Sequence, residues 1–157
     1  MESSLPGTLA EIEAWLGRGQ APTRAQVRVV LVELGLALLE HRAAEQEAAF
    51  EQVTAWIAAR PEAWRAAIAG ELAMAVTEHV RSVDPRWLGN PKYDLAYTVE
   101  ARHRLEARLA CAERLGLEVA EELLEAVARA DARLAPHLAD PEGSRPRSGD
   151  QGQDRIS

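Results

Sequence analysis

The run VRVVLVELGLALLEH, residues 27–41, is the most apolar stretch of the chain, and what it becomes decides the fold class. As a strand it needs a partner. No other segment alternates apolar and polar residues with period two or is rich in β-branched side chains. As a membrane span it needs roughly 20 apolar residues. This run is shorter, and it carries Arg28 and Glu33 inside it. What remains is a helix buried on most sides, the central element of a bundle, or a helix with one face covered by a second copy or a partner. Gly35 within it lets a neighbouring helix approach closely.

The flanking segments read as further helices. Thr8 with Glu11 three residues on forms a capping-box pattern ahead of the stripe Leu9, Ile12, Leu16. GRGQAP breaks that helix. Thr23 is the next N-cap, and no proline follows before Pro61. One long helix or two with a bend near residues 41–44 both fit, the second half carrying the stripe Phe50, Val53, Ile57. Pro61 suits the first position of a helix whose stripe is Trp64, Ile68, Leu72, Ala75, Val76, His79 and Val83. PRWLGNP is a loop. A helix over 92–115 ends at Gly116. A last one over 118–134, with the stripe Ala120, Leu123, Leu124, Val127 and Leu134, is stopped by Pro136 and Pro141.

The expected fold is therefore all-α, an up-and-down bundle of four to five helices forming one domain over residues 1–139. Residues 140–157 are polar, Gly-rich and without periodicity, and are expected to be a disordered tail. No 34-residue self-similarity marks a helical repeat.

Composition narrows the partners. The net charge of −7 repels a phosphate backbone on average, and no basic run overrides it. Neither nucleic acid nor a membrane is an expected partner. The N-terminal MESSLPGTLAEIE has no basic n-region and no apolar h-region, so no secretory leader is expected. The single cysteine, Cys111, forms no intrachain disulfide, which fits a reducing, cytoplasmic setting.

Several constellations invite a chemical reading. Glu100-x-x-His103 looks like half of a ferritin-like di-iron motif, but the second half is absent. On a helical wheel Glu100, His103, Arg104, Ala107, Cys111 and Arg114 share one side, while Leu95, Val99, Leu105, Leu109 and Ala112 share the inward one. Glu100 and His103 then point outward, no metal is expected, and Cys111 is a surface or boundary thiol. No Gly-rich phosphate loop, zinc spacing or nucleophilic triad is present, and no cofactor is expected.

A polar cluster is more pointed. Glu33, His79, Arg102 and Glu106 all fall at or near positions where the pattern predicts burial. Buried charge must be paired, and spacing already couples Arg102 to Glu106. Such a cluster is either a register-fixing network or a site for a small polar ligand or proton transfer. The segment DPRWLGNPKYDLAY gathers Trp87, Tyr93 and Tyr97 with Arg86 and Lys92, and Trp, Tyr and Arg are the residue types that dominate binding hot spots. The structural alternative is that Trp87 and Tyr97 plug the bundle end, with Tyr93 and Tyr97 stacked one turn apart. The functional expectation is a non-catalytic helical module acting through protein–protein contact, with a protein partner or as a homodimer. The alternative is a small-molecule-binding or acid–base catalytic bundle using the polar cluster.

Overall fold

The computed structural model describes residues 5–139, an all-α bundle. Its α-helices are α1 (Leu5–Gly17), α2 (Arg24–Leu39), α3 (Glu47–Ala59), α4 (Pro61–Ser82), α5 (Leu95–Arg114) and α6 (Glu121–Ala139). A short 3-10 turn, Ala43–Gln46, precedes α3. The count is six rather than four to five. The extra helix comes from the break between α2 and α3. The expected tail over 140–157 lies outside the described residues.

Local chemistry sets most of the boundaries. The Thr23 hydroxyl accepts from Gln26 N–H at 3.1 Å, and the Gln26 side chain accepts from Thr23 N–H at 3.0 Å, a complete capping box for α2. The α2 helix ends in a Schellman turn. Arg42 N–H bonds back to the Ala37 carbonyl at 2.7 Å, with His41 in the left-handed region at φ 60°. That turn resolves the one-helix or two-helix question in favour of two. Gly116, at φ 76°, closes α5 in the same way, with Leu117 N–H on Ala112 C=O at 2.9 Å. Asp94 caps the start of α5, accepting from Ala96 N–H at 3.0 Å, so this helix begins three residues after Lys92.

The α6 helix likewise starts at Glu121, three residues after the expected 118, and two further helix ends override their sequence signals. Thr8 lies inside α1, which is already helical at Leu5. Pro6 is tolerated in a first turn because its missing N–H would have no partner there. Pro136 does not stop α6, which runs on to Ala139. The proline falls in the last turn, where the one bond it removes, to the Ala132 carbonyl, costs little of the helix.

The centre is α2. It packs on α1, α4, α5 and the 3-10 turn, most extensively on α5. Val27, Val30, Leu31 and Leu34 share a cluster with Ile12, Phe50, Val53, Trp64, Leu72 and Ala112. Trp56 stacks on Trp64 at 5.8 Å, docking α3 on α4. No apolar face of α2 is left open, and Val29 is its one exposed large hydrophobic residue. The pairings of Leu72 with Ala112, Val76 with Leu105 and Val83 with Leu95 in successive clusters show that α4 and α5 are antiparallel. Val127 with Val76 and Leu134 with Val83 show that α6 runs parallel to α4.

The expected face of α5 is partly wrong. Ala107 and Cys111, placed outward by the wheel, are fully buried, and Val99, placed inward, is exposed. A single-sided wheel fails because α5 packs against α2 on one side and against α4 and α6 on another. Burial pushes the Cys111 thiol up to about 12, against a smaller opposing effect of Arg114. It is a neutral core group, not a surface thiol.

The α2–α5 approach is close enough to exclude a side chain. A Cβ at Gly35 would stand 1.8 Å from the Ala107 carbonyl oxygen, which is backbone and cannot rotate away. Gly35→Ala is expected to lower unfolding stability by about 3 kcal/mol, since the helices must separate. Urea denaturation followed by circular dichroism measures it. A variant within a few tenths of a kcal/mol of the native chain would contradict the close approach.

Candidate functional site

Among the described residues two buried or half-buried carboxylates are each shared by two nitrogen donors from other helices, a histidine with an arginine at one centre and two arginines at the other. The first joins α4, α5 and α6. Asp131 on α6 accepts from His79 Nε2 at 2.9 Å, from Arg102 Nε at 2.8 Å and, on its second oxygen, from Arg102 Nη2 at 3.0 Å. Because a carboxylate only accepts, Nε2 carries the imidazole proton. His79 is fully buried on the stripe of α4, and its Nδ1 has no hydrogen-bond partner. Burial is the largest influence on Asp131 and opposes its charge. The hydrogen bonds from Arg102 and His79 together outweigh it and hold the carboxyl below its ordinary value. Arg102 is held above its ordinary value, chiefly by those same bonds.

The expected cluster is therefore half assembled. His79 and Arg102 meet, but through Asp131. Glu33 is half-buried on α2, where it contributes to the field at Arg42. Glu106 is exposed and acts on Arg102 only through its charge. Asp131 was missed because α6 carries it at the edge of its stripe, between Val127 and Leu134, where a lone carboxylate looks solvent-facing.

The second centre joins α2, α4 and α5. Glu71 on α4 is 1% exposed. Its Oε2 accepts from Arg28 Nε at 3.2 Å and Arg108 Nε at 3.0 Å, while Oε1 has no partner. Arg108 is itself 9% exposed. Burial is the largest influence on its guanidinium and lowers its pKa, ahead of the opposing pull of Glu71. A signal for this centre was present in the sequence. Glu71 lies three residues after Ile68 and four before Ala75, inside the α4 stripe. Arg108 holds the same relation to Leu105 and Ala112 on α5.

The connection between α4 and α5 is pinned along its length. Arg86 Nη2 donates to Asp84 Oδ2 at 2.9 Å, and Leu88 N–H bonds to the Asp84 carbonyl at 3.1 Å. Tyr93 is half-buried, its hydroxyl donating to the Ser82 carbonyl at 2.9 Å and paired with Thr98. Among the described residues the ring stack is Trp56 on Trp64, and Tyr93 and Tyr97 do not form one. The bundle end is plugged instead by Val83, Leu88, Leu95, Ala130 and Leu134. Trp87 is 46% exposed under the Arg86 guanidinium, and Tyr97 is 66% exposed. Lys92 is exposed beside them.

Glu100 and His103 are both exposed. Among the described residues no group of three or more His, Cys, Asp or Glu side chains is gathered to hold a metal ion. No helix of the described residues is long and apolar enough to cross a membrane. No family model matches the chain, no curated protein matches its sequence, and no solved structure matches its fold.

The two centres make different predictions. Glu71→Gln removes the charge that compensates a buried arginine and is expected to cost about 3 kcal/mol. Arg28→Ala removes a half-exposed partner and is expected to cost less than about 1 kcal/mol. Equal losses in denaturant titrations would overturn this ranking. Asp131 has a depressed folded pKa, so its contribution is present above the unfolded value near 3.9 and is lost as pH falls through the folded value. Asp131→Asn is expected to lose about 1.5 kcal/mol at neutral pH, the low end for a charged hydrogen bond because the side chain is 37% exposed. The gap to the native chain should narrow below about pH 4, read from melts across pH. A gap that stays constant would show that the ion pairs contribute nothing.

Proposed function

We propose that this chain is a non-catalytic helical binding module that presents the α4–α5 end of its bundle to another protein. One observation carries the reading. Trp87 and Tyr97 stay 46% and 66% exposed although the backbone around them is held by hydrogen bonds. Large rings displayed on an ordered surface supply contact area at low entropic cost, which is what binding hot spots need. The end of the bundle is already plugged by aliphatic side chains, so the rings have no evident packing role.

Other features bear on the alternatives. The covered faces of α2 remove the strongest argument for a homodimer built on that helix. The acid–base reading has less support, since His79 is buried and its Nε2 is committed to Asp131. The lone, buried Cys111 suits a reducing, cytoplasmic setting.

Trp87→Ala with Tyr97→Ala tests the proposal on the full chain. The double variant is expected to melt within a few degrees of the native protein, because neither ring is buried. Native and variant chains are compared by light scattering across concentration. They are also compared by affinity capture from extracts of the source cells. The expected outcome is a monomer that captures a discrete protein partner, with capture reduced at least about tenfold in the variant. Equal capture by both chains overturns the proposed surface. A dimer that the double variant dissociates would replace the heterologous partner with a second copy.

A further inference from the structure

A cleft of about 320 Å³ opens between α4 and α5, with the Glu71 centre in its wall. It is separate from the exposed rings on which the proposed function rests, apart from Tyr97 at its rim. Its ionisable wall residues are three arginines, Arg28, Arg104 and Arg108, and three glutamates, Glu71, Glu78 and Glu100. Their order along the cleft follows from the helix directions. Because α4 and α5 are antiparallel, Glu71 and Arg108 share one end, and Glu78 and Glu100 share the other. Seven residues separate Glu71 from Glu78, roughly 10 Å along the helix. Arg104 lies midway, one turn from Arg108, on which its charge acts, and one turn from Glu100.

The arginine end is incompletely satisfied. Glu71 gives one oxygen to two guanidiniums and leaves the other without a donor. Among the described residues Arg28 and Arg108 each bond to it through Nε alone, which leaves their terminal nitrogens to water or a ligand. Two guanidiniums therefore share one carboxylate oxygen in a part of the cleft where Arg108 is more than nine-tenths buried, and Arg104 adds a third positive charge to the wall. The terminal nitrogens are donors that an anion can use, whereas Glu71 Oε1 is an acceptor and gains nothing from one. The burial that lowers the Arg108 pKa, reinforced by Arg104 and Arg28, describes the same deficit in charge terms. An entering anion relieves it.

The whole cleft is nevertheless balanced, three positive groups against three negative. A ligand of one sign gains at one end and loses at the other. We infer that the cleft binds a small dipolar molecule, its carboxylate on the terminal guanidinium nitrogens of Arg28, Arg104 and Arg108 and its protonated amine between Glu78 and Glu100. The guanidinium fork suits the planar carboxylate. The long side chains at both ends shorten the span, so an aliphatic spacer of roughly 6 Å joins the two charges.

The probe is δ-aminovalerate, titrated calorimetrically into the full chain beside valerate and pentylamine, each of which carries one of the two charged ends. δ-Aminovalerate is expected to bind at least about tenfold more tightly than either. Arg108→Gln should abolish binding, but it also disturbs a buried group. Arg104→Gln, on the exposed rim, tests the anion end in a chain that keeps its fold, and should weaken δ-aminovalerate and valerate alike by about tenfold. Glu78→Gln with Glu100→Gln should weaken δ-aminovalerate and leave valerate unchanged. Absence of heat with all three probes overturns the inference. So does valerate binding as tightly as δ-aminovalerate, or an Arg104→Gln chain that binds as the native one does. None of these readouts depends on Trp87, so they succeed or fail independently of the protein-binding proposal.

Discussion

The backbone of α5 occupies the space that a side chain at residue 35 would fill, and the rest of the bundle is arranged around that contact. A glycine in mid-helix costs about 1 kcal/mol of helix propensity relative to alanine. Here the cost is offset by a close approach of two helix axes, which brings the most apolar helix, α2, into continuous contact with α5. Burial of Val27, Val30, Leu31 and Leu34 on one side and of Ala107, Cys111 and Ala112 on the other follows from that seating. The contact also has an electrostatic consequence. Arg108 is the neighbour of Ala107 in sequence, so pressing α5 onto α2 drives its guanidinium inward, where it needs a counter-charge. Glu71 supplies it from α4, and Arg28 adds a second donor from α2.

The two carboxylate centres divide the work of holding the helices in register. Glu71 ties α4 to α2 and α5, and Asp131 ties α6 to α4 and α5. Each leaves buried polar atoms without a partner, His79 Nδ1 and Arg102 Nη1 at the Asp131 centre and Glu71 Oε1 at the other. Asp131 uses both oxygens and sits near water, so its bonds overcome the burial that opposes its charge. Glu71 leaves one oxygen idle and does not fully compensate Arg108. Of the exposed aromatic rings, Trp87 belongs to neither centre, while Tyr97 stands at the rim of the cleft beside Glu71.

Much of the local structure was legible because its causes are local. Thr23 with Gln26, Pro61, and Gly116 in a left-handed turn act within a few residues of themselves, and the structure uses each as its chemistry dictates. The break at His41 was left open, since nothing in a non-glycine residue announces a positive φ. Thr8 and Pro136 misled because their effect depends on position within a turn. The candidate sites were less legible. His79 and Arg102 stood out as polar groups at or near apolar faces, and both are engaged. Their common partner Asp131 is 52 residues from His79, a separation no periodicity can bridge. The wheel of α5 failed at Cys111 and Val99 because a wheel assumes one buried face, and this helix has two.

By itself the sequence determined that the chain is all-α and that α2 lies at its centre. An apolar run without a partner strand, too short and too charged for a membrane, has no other stable use in water. It also determined that Gly35 permits a close neighbour, and that some charges must be buried and therefore paired. Which helix comes close to Gly35, and which charges meet, was decided only by tertiary structure. Pairing energies fall off over a few ångströms, and those distances are set by how six helices pack rather than by the order of residues along any one of them.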